Sequence, residues 1–315
     1  MNGNGHITRS TKTIKELKRV GYEVDIITSG KNSQIELPFE IIKSFNGLSF
    51  FYNKNGSIDW IKTLKHLDIK KFFKDFYDVG EYDFIISDFE PISTWSAKKY
   101  NIPSIGIGNQ YSFNSNKIPK PFIKDILSEF FMKYFAKTDY NIGLHYDEYD
   151  DFIFKPIVDD EIFKYVVSDD NFYLIYLPSV SCEILTNMLR KVNKNFKIYS
   201  PEIKKYKKNG NIEYFSPHRE MFIIDLCNCS GVITGSGFST TSESLVLNKK
   251  IWSIPILGQY EQKCNALALQ NMNIFTKEFS ISNFYKWDNN YNKIQYQWED
   301  PTKKIISKIK EYGKN

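Results

Sequence analysis

Short β-rich runs alternate with stretches of helical period along the chain. In the first half the runs are "YEVDIITSG" at 22–30, "YDFIISDFEP" at 82–91, "IPSIGIG" at 102–108 and "DYNIGLH" at 139–145. Alternation of this kind predicts βα units around a mainly parallel sheet. A helix is predicted over Thr8–Val20, where Ile14, Leu17 and Val20 recur at helical spacing, and Gly21 stops it. Its apolar residues serve one side only. Ahead of it, Gly3-Asn4-Gly5-His6 has the composition of a tight loop joining a buried strand to a helix beside a nucleotide or sugar, and two residues precede it.

A second series starts near Asn171. Strand "NFYLIYLP", helix "SCEILTNMLRKV", strands "NFKIYSP" and "NIEYFSP", and helix "HREMFIIDLCNCS" come first. Strand "GVITGSG", helix "STTSESLVLNK", strand "KIWSIPI" and helix "EQKCNALALQNM" follow. This is again a doubly wound α/β pattern, complete in itself. The acidic, aromatic stretch Tyr146–Asp170, with Pro156, fits no regular series, so the boundary falls close to 157 and the expected domains are 1–156 and 157–315. The C-terminal "DPTKKIISKIKEYGKN" reads as a solvated amphipathic helix, and in many two-Rossmann proteins such a last helix crosses back to the first domain.

The bulk properties narrow the function classes. A chain of 315 residues fits two domains of ordinary size, and 42% hydrophobic with 16% aromatic residues leaves no compositional case for disorder. A net charge of +5 suits anionic ligands or an acidic membrane face but falls short of the clustered basicity of a nucleic-acid binder. The four cysteines are too few for a disulfide scaffold, and Cys227 and Cys229 stand one residue closer than CxxC, so they read as buried thiols in a reducing compartment. No apolar run reaches the roughly 18 residues of a membrane span and no signal-peptide core follows the start. A cytoplasmic location is expected.

The densest chemical signal lies at 235–269, "GSGFSTTSESLVLNKKIWSIPILGQYEQKCNALAL". Gly235 and Gly237 end a strand, and Ser239-Thr240-Thr241 offers capping hydroxyls and free backbone N–H groups at a helix start, a natural phosphate site. Glu243, one turn further on, is placed to accept from both ribose hydroxyls of a nucleotide; the plainer alternative is a capping interaction. After the next strand, Pro255 and Gly258 make a loop, and Glu261-Gln262 then Asn265-Ala266 supply an acid and amides of the kind that hold sugar hydroxyls. In the N-terminal half, His6 follows the glycine loop, and an imidazole, with a free value of about 6.5, suits removing a proton at neutral pH; the plainer alternative is a surface histidine near a frayed terminus. Asp88, at the carboxyl end of "DFIISD", sits where open α/β sheets bind ligands, and could orient His6. Glu90 competes for that place or for the base itself.

"G-F-S-T-T-S-E", then a strand and "P-I-L-G-Q-Y-E-Q-K-C-N-A", resembles the donor-binding signature of inverting GT-B glycosyltransferases, including the peptidoglycan N-acetylglucosaminyltransferase and the UDP-glycosyltransferases. "GNGHITRS" and "ISDFEP" resemble motifs of a less characterised bacterial and archaeal group of the same superfamily. The resemblance implies two Rossmann-like domains facing a central cleft, with a first strand before "GNGH" that the chain as given lacks. It implies an acceptor-side N-terminal domain and a donor-side C-terminal one. Glu243 becomes the ribose ligand, and Ser236, Gly237, Phe238, Ser239, Thr240 and Thr241 the diphosphate loop. Phe215 and Ser216, with Pro217, fall where the family holds the base through backbone groups. Glu261, Gln262 and Asn265 fall at the donor sugar, although Asp is commoner at the first of these. Gly3 and Gly5 flank the catalytic loop, and His6 is the base or lies next to the reacting sugar. The implied activity is metal-independent transfer of a sugar from a nucleotide-sugar, a UDP-sugar, to an acceptor hydroxyl with inversion, without a cofactor, in synthesis of a cell-surface polysaccharide or glycolipid.

Alternatives are a nucleotide-sugar 2-epimerase or hydrolase of the same fold, and a non-catalytic sugar-nucleotide binder. A dinucleotide fingerprint would need Gly or Ala where Thr8 stands, leaving Asp25 a strand-edge acid. Glu148, Asp150 and Asp151 read as a solvated segment rather than a metal site. The stretch 119–137 carries apolar residues at 122, 123, 126, 127, 130, 131, 134 and 135 and lysines at 120, 124, 133 and 137. A helix packed on the N-terminal sheet is expected. The alternative is a docking surface for a lipid-linked acceptor or the inner face of the plasma membrane.

Overall fold

The computed structural model describes residues 4–30, 37–45, 62, 76–123, 125–256, 258–290 and 295–313. Gly3 and Lys124 therefore lie outside the described residues. The chain forms two compact units: Met1–Ile118, Phe122–Ile157 and Glu299–Asn315 make the first, and Pro119–Pro121 with Val158–Trp298 the second.

In the first unit, helix α1 spans Asn4–Arg19. It starts four residues before the expected Thr8, so Gly5 and His6 lie in its first turns rather than on a loop. Gly21, at φ +95°, ends it as expected, with the Tyr22 amide returning to the Leu17 carbonyl. Its buried positions are Arg9, Thr13 and Leu17, spaced four apart, so a mainly polar stripe faces inward. Strands β1 (Ile27–Ser29) and β2 (Lys43–Phe45) form a parallel pair. Strands β3 (Ile85–Ser87), β4 (Ser104–Gly108), β5 (Tyr140–Leu144) and β6 (Ile153–Phe154) form a parallel sheet in that order. Among the described residues the two sheets are not paired with each other. A cavity of about 1000 Å³ is lined by residues of both sheets, Ile27–Ser29 and Ile85–Ser87, and by α1 residues including Ile14 and Leu17.

Helix α2 (Pro91–Tyr100) follows β3, and a short helical turn, Asn109–Ser112, follows β4. Helix α3 covers Ile126–Tyr134, shorter than the amphipathic stretch suggests. Phe131 and Phe135 pack against buried Phe89, Tyr111 and Ala136, whereas Phe122, Ile123, Ile126, Leu127 and Phe130 are exposed. The packed-helix expectation thus holds for one edge of the stripe only. The C-terminal helix, Thr302–Tyr312, packs on α1 and buries Ile305, Ile306 and Ile309 in this first unit, so it is docked rather than solvated.

The second unit has six strands in the order β12-β11-β7-β8-β10-β9: β7 (Phe172–Tyr176), β8 (Asn195–Tyr199), β9 (Lys207–Asn209), β10 (Ile212–Phe215), β11 (Gly231–Gly235) and β12 (Lys250–Ile254). All pairs are parallel except β9–β10, a lysine-bearing hairpin that protects the sheet edge. Helices α4 (Cys182–Leu189), α5 (Arg219–Asn228), α6 (Phe238–Val246), α7 (Tyr260–Asn271) and α8 (Ile281–Asn289) complete it. One face of the sheet packs Leu185, Phe196, Trp252, Phe284 and Trp287; the other packs Leu174, Tyr199, Leu226, Cys227 and Val232. Apolar cover on both faces is what a parallel sheet requires. All four cysteines are buried free thiols. No described helix is long and apolar enough to cross a membrane.

Candidate active site

The carboxyl end of β3 opens onto the first unit's site. His6 Nδ1 lies 2.8 Å from Asp88 Oδ1, across 82 residues of sequence. Arg9, one turn after His6 on α1, donates from Nε to both Asp88 oxygens at 3.0 and 2.9 Å, and its Nη2 also bonds Oδ1. The same Nη2 lies 2.7 Å from His6 Nδ1, and Ser10 donates to Asp88 Oδ2 at 3.0 Å. Burial would raise the Asp88 carboxyl, but Arg9 and His6 outweigh it and hold the group well below the usual carboxylate range. Gly108, at φ +153°, allows this approach: a Cβ there would stand 3.1 Å from Arg9 Nη2.

Glu90 does something else. It caps α2, accepting from the Ile92 amide at 2.8 Å and the Ser93 amide at 2.7 Å. Burial raises its carboxyl above the ordinary value against the pull of those amides. Between the two acids Phe89 adopts φ +53°, a strained value for a bulky residue, with its ring buried against Tyr111, Phe131 and Phe135. This kink turns Asp88 to α1 while Glu90 caps α2. Arg9 escaped sequence reasoning because residues 3–6 read as a loop. Once the helix starts at Asn4, the i, i+3 spacing of His6 and Arg9 puts both on one face.

In the second unit, Gly237 is the N-cap of α6 and no side-chain cap bond is made there, a helix start of the kind that suits an anion. Of the expected capping hydroxyls, that of Thr241 is directed elsewhere. Thr241 donates to the Gly237 carbonyl at 2.8 Å, one turn back, while the Ser236 hydroxyl pairs with Ser253 at 2.7 Å in the interior. Phe238 is buried, and Ser239 and Thr240 are half-buried at the helix start. Glu243 is buried and held by Arg219, the first residue of α5.

Gln262 does not present a free amide. Its Oε1 accepts from the Ser236 and Ile256 amides at 3.2 and 3.1 Å, tying two loops together. Asn265 donates to the Ser236 carbonyl at 3.0 Å, and both are struts beneath the loop. Glu261 is half-buried in the first turn of α7. Phe215 stacks on Tyr199 with centroids 5.0 Å apart, and Ser216 follows it; His218 caps α5 through Nδ1. Asp25 accepts from Tyr82, and Asp150 from Ser115 and Lys117.

A profile of the family described as glycosyl transferase family 1 matches residues 1–283. No match is found among curated proteins. Among solved structures the chain is similar to UGT89C1 of Arabidopsis thaliana complexed with UDP, at 13% identity and a TM-score of 0.56 over 86% of this chain and 83% of that one. It is similar to MurG of Acinetobacter baumannii at 11% identity and a TM-score of 0.53, covering 98% and 97%. The glycosyltransferase SnogD from Streptomyces nogalater matches at 12% and 0.50, covering 99% and 93%. At these identities the likeness speaks to the fold, which is that of GT-B glycosyltransferases with two Rossmann-like domains.

Proposed function

The chain belongs to glycosyl transferase family 1, and on that premise we propose that it moves a sugar from a UDP-sugar to an acceptor hydroxyl with inversion. Residues of the second unit are assigned to the donor. The first-turn N–H groups of α6 take the diphosphate, Glu243 the ribose, the backbone around Phe215 and Ser216 the base, and Glu261 the sugar, with Gln262 and Asn265 supporting the loop. Residues of the first unit are assigned to the acceptor. With its Nδ1–H donated to Asp88, His6 receives the acceptor proton on Nε2. The acceptor oxygen forms a bond to the anomeric carbon as the bond to the diphosphate oxygen breaks. The electron pair leaves with the diphosphate, which the dipole and amides of α6 stabilise. No metal ion or cofactor is assigned a role in this scheme.

The observation that carries the catalytic assignment is the 2.8 Å contact of His6 with Asp88, because it selects one carboxylate of two. The test is incubation with UDP-sugars, with and without acceptor lipids and glycans, after a thermal-shift screen of nucleoside diphosphates. Glycosylated acceptor supports the proposal; epimer or free sugar formed from donor alone would replace it with epimerisation or hydrolysis.

The acceptor class we infer is lipid-linked, destined for the cell envelope and reached at the inner face of the plasma membrane. The exposed Phe122, Ile123, Ile126, Leu127 and Phe130, on the same stretch as the exposed Lys133, match a surface bearing anionic lipid. Co-sedimentation with phosphatidylglycerol vesicles that is unaffected by Phe130→Asp would remove this part.

A further inference from the structure

We propose that Arg219 is a positioning residue that holds Glu243 for the donor ribose and thereby sets a preference for ribose over 2′-deoxyribose. The proposal rests on the assignment of Glu243 as the ribose ligand. Arg219 opens α5, where a cation opposes the positive end of the helix dipole, so helix stability does not account for it. Two carboxylates hold it there. Its Nη1 donates to Glu243 Oε2 at 3.1 Å and its Nη2 to Oε1, a forked pairing; Nε and Nη2 reach Asp159 Oδ2 at 3.3 and 3.1 Å. Burial would lower the guanidinium's pKa, but the two carboxylates more than offset it and raise it, so Arg219 stays charged.

A buried ion pair is a poor stability device, since apolar packing of the same volume serves as well. A buried carboxylate without a partner would be costly, and Arg219 is the cation that compensates Glu243. The fork also fixes the carboxylate plane, which a lysine's point charge does not. A carboxylate offers about four acceptor positions, of which the fork fills two, leaving one on each oxygen for a vicinal diol. Asp159, at the start of the 3₁₀ turn Asp160–Lys164, anchors the guanidinium from the other side.

Calorimetry with UDP, 2′-deoxy-UDP and pyrophosphate on the full chain tests this. The native protein is expected to prefer UDP over 2′-deoxy-UDP by at least about tenfold, the worth of one hydrogen bond to a charged group. Arg219→Lys should narrow the preference to about twofold while leaving pyrophosphate affinity unchanged, an outcome a merely structural pair would not produce. If that variant does not fold, Asp159→Asn is read instead, with an expected narrowing of about threefold. Equal binding of the two nucleotides by the native protein overturns the Glu243 assignment itself. Loss of the preference in Glu243→Gln with its retention in Arg219→Lys and Asp159→Asn overturns the role of Arg219 alone.

Discussion

The two sets of site residues are built from different parts of the chain. In the first unit the groups proposed to work are side chains: His6 and Arg9 from α1 meet Asp88 from the end of β3, and the cluster is charged. In the second the groups proposed to work are backbone amides at the start of α6, while Thr241 bonds a helix carbonyl and Ser236 bonds Ser253. The difference follows from the tasks assigned to them. Moving a proton needs a group whose charge changes near neutral pH. Holding a diphosphate needs fixed dipoles that carry no proton and lose nothing by reorganising. It also means that the two halves respond differently to substitution, since an amide can be obstructed but not deleted.

The sharpest break in the comparison is His6→Ala. Turnover should fall by about 10³-fold, the usual range for a general base, with nucleotide binding by calorimetry unchanged. Loss of binding instead would merge the two sets into one. In the second unit Gly237→Ala should act through space alone. Gly237 has φ −68°, which alanine adopts freely, and a Cβ there meets no atom within 4 Å. Melting should be unaffected while UDP affinity falls by about tenfold if the diphosphate occupies that space. Thr241→Val, by contrast, should change affinity less than about twofold, since its hydroxyl serves a helix carbonyl.

The smallest effect expected is the acid profile. The folded pKa of Asp88 is depressed, so its contribution is complete above the unfolded value of about 3.9 and is lost as pH falls below it. The drop in melting temperature between pH 5 and pH 2.5 should be smaller in Asp88→Asn, and an equal drop would dissociate the carboxylate from the cluster.

The strands at 102–108, 139–145, 231–237 and 250–256 were legible because an apolar run between turn residues is a local property. The start of α1 was not legible. Two glycines in four residues read as a loop, and contacts distant in sequence, among them those of His6 and Arg9 with Asp88, hold those turns in place. The strand–helix–strand–helix order at 235–269 was legible, yet the sequence assigned its hydroxyls and amides to a ligand, whereas Thr241, Ser236, Gln262 and Asn265 serve the protein's own backbone and interior. Arg219 had no motif to mark it.

Two amphipathic stretches show where local pattern stops. The C-terminal helix and the stretch around α3 carry similar apolar stripes, but Ile305, Ile306 and Ile309 are buried while Ile126, Leu127 and Phe130 are exposed. Burial is non-directional, and a stripe states that a face is apolar without stating what covers it. The sequence by itself determined the βα alternation, the resemblance to GT-B enzymes and the positions of the candidate residues, all set by neighbours within a few residues. Tertiary structure alone decided that Asp88 rather than Glu90 meets His6, that Arg9 joins them, and that Arg219 takes Glu243. Those pairings join residues 24 to 82 positions apart, and depend on backbone turns such as the left-handed Phe89 that no local pattern encodes.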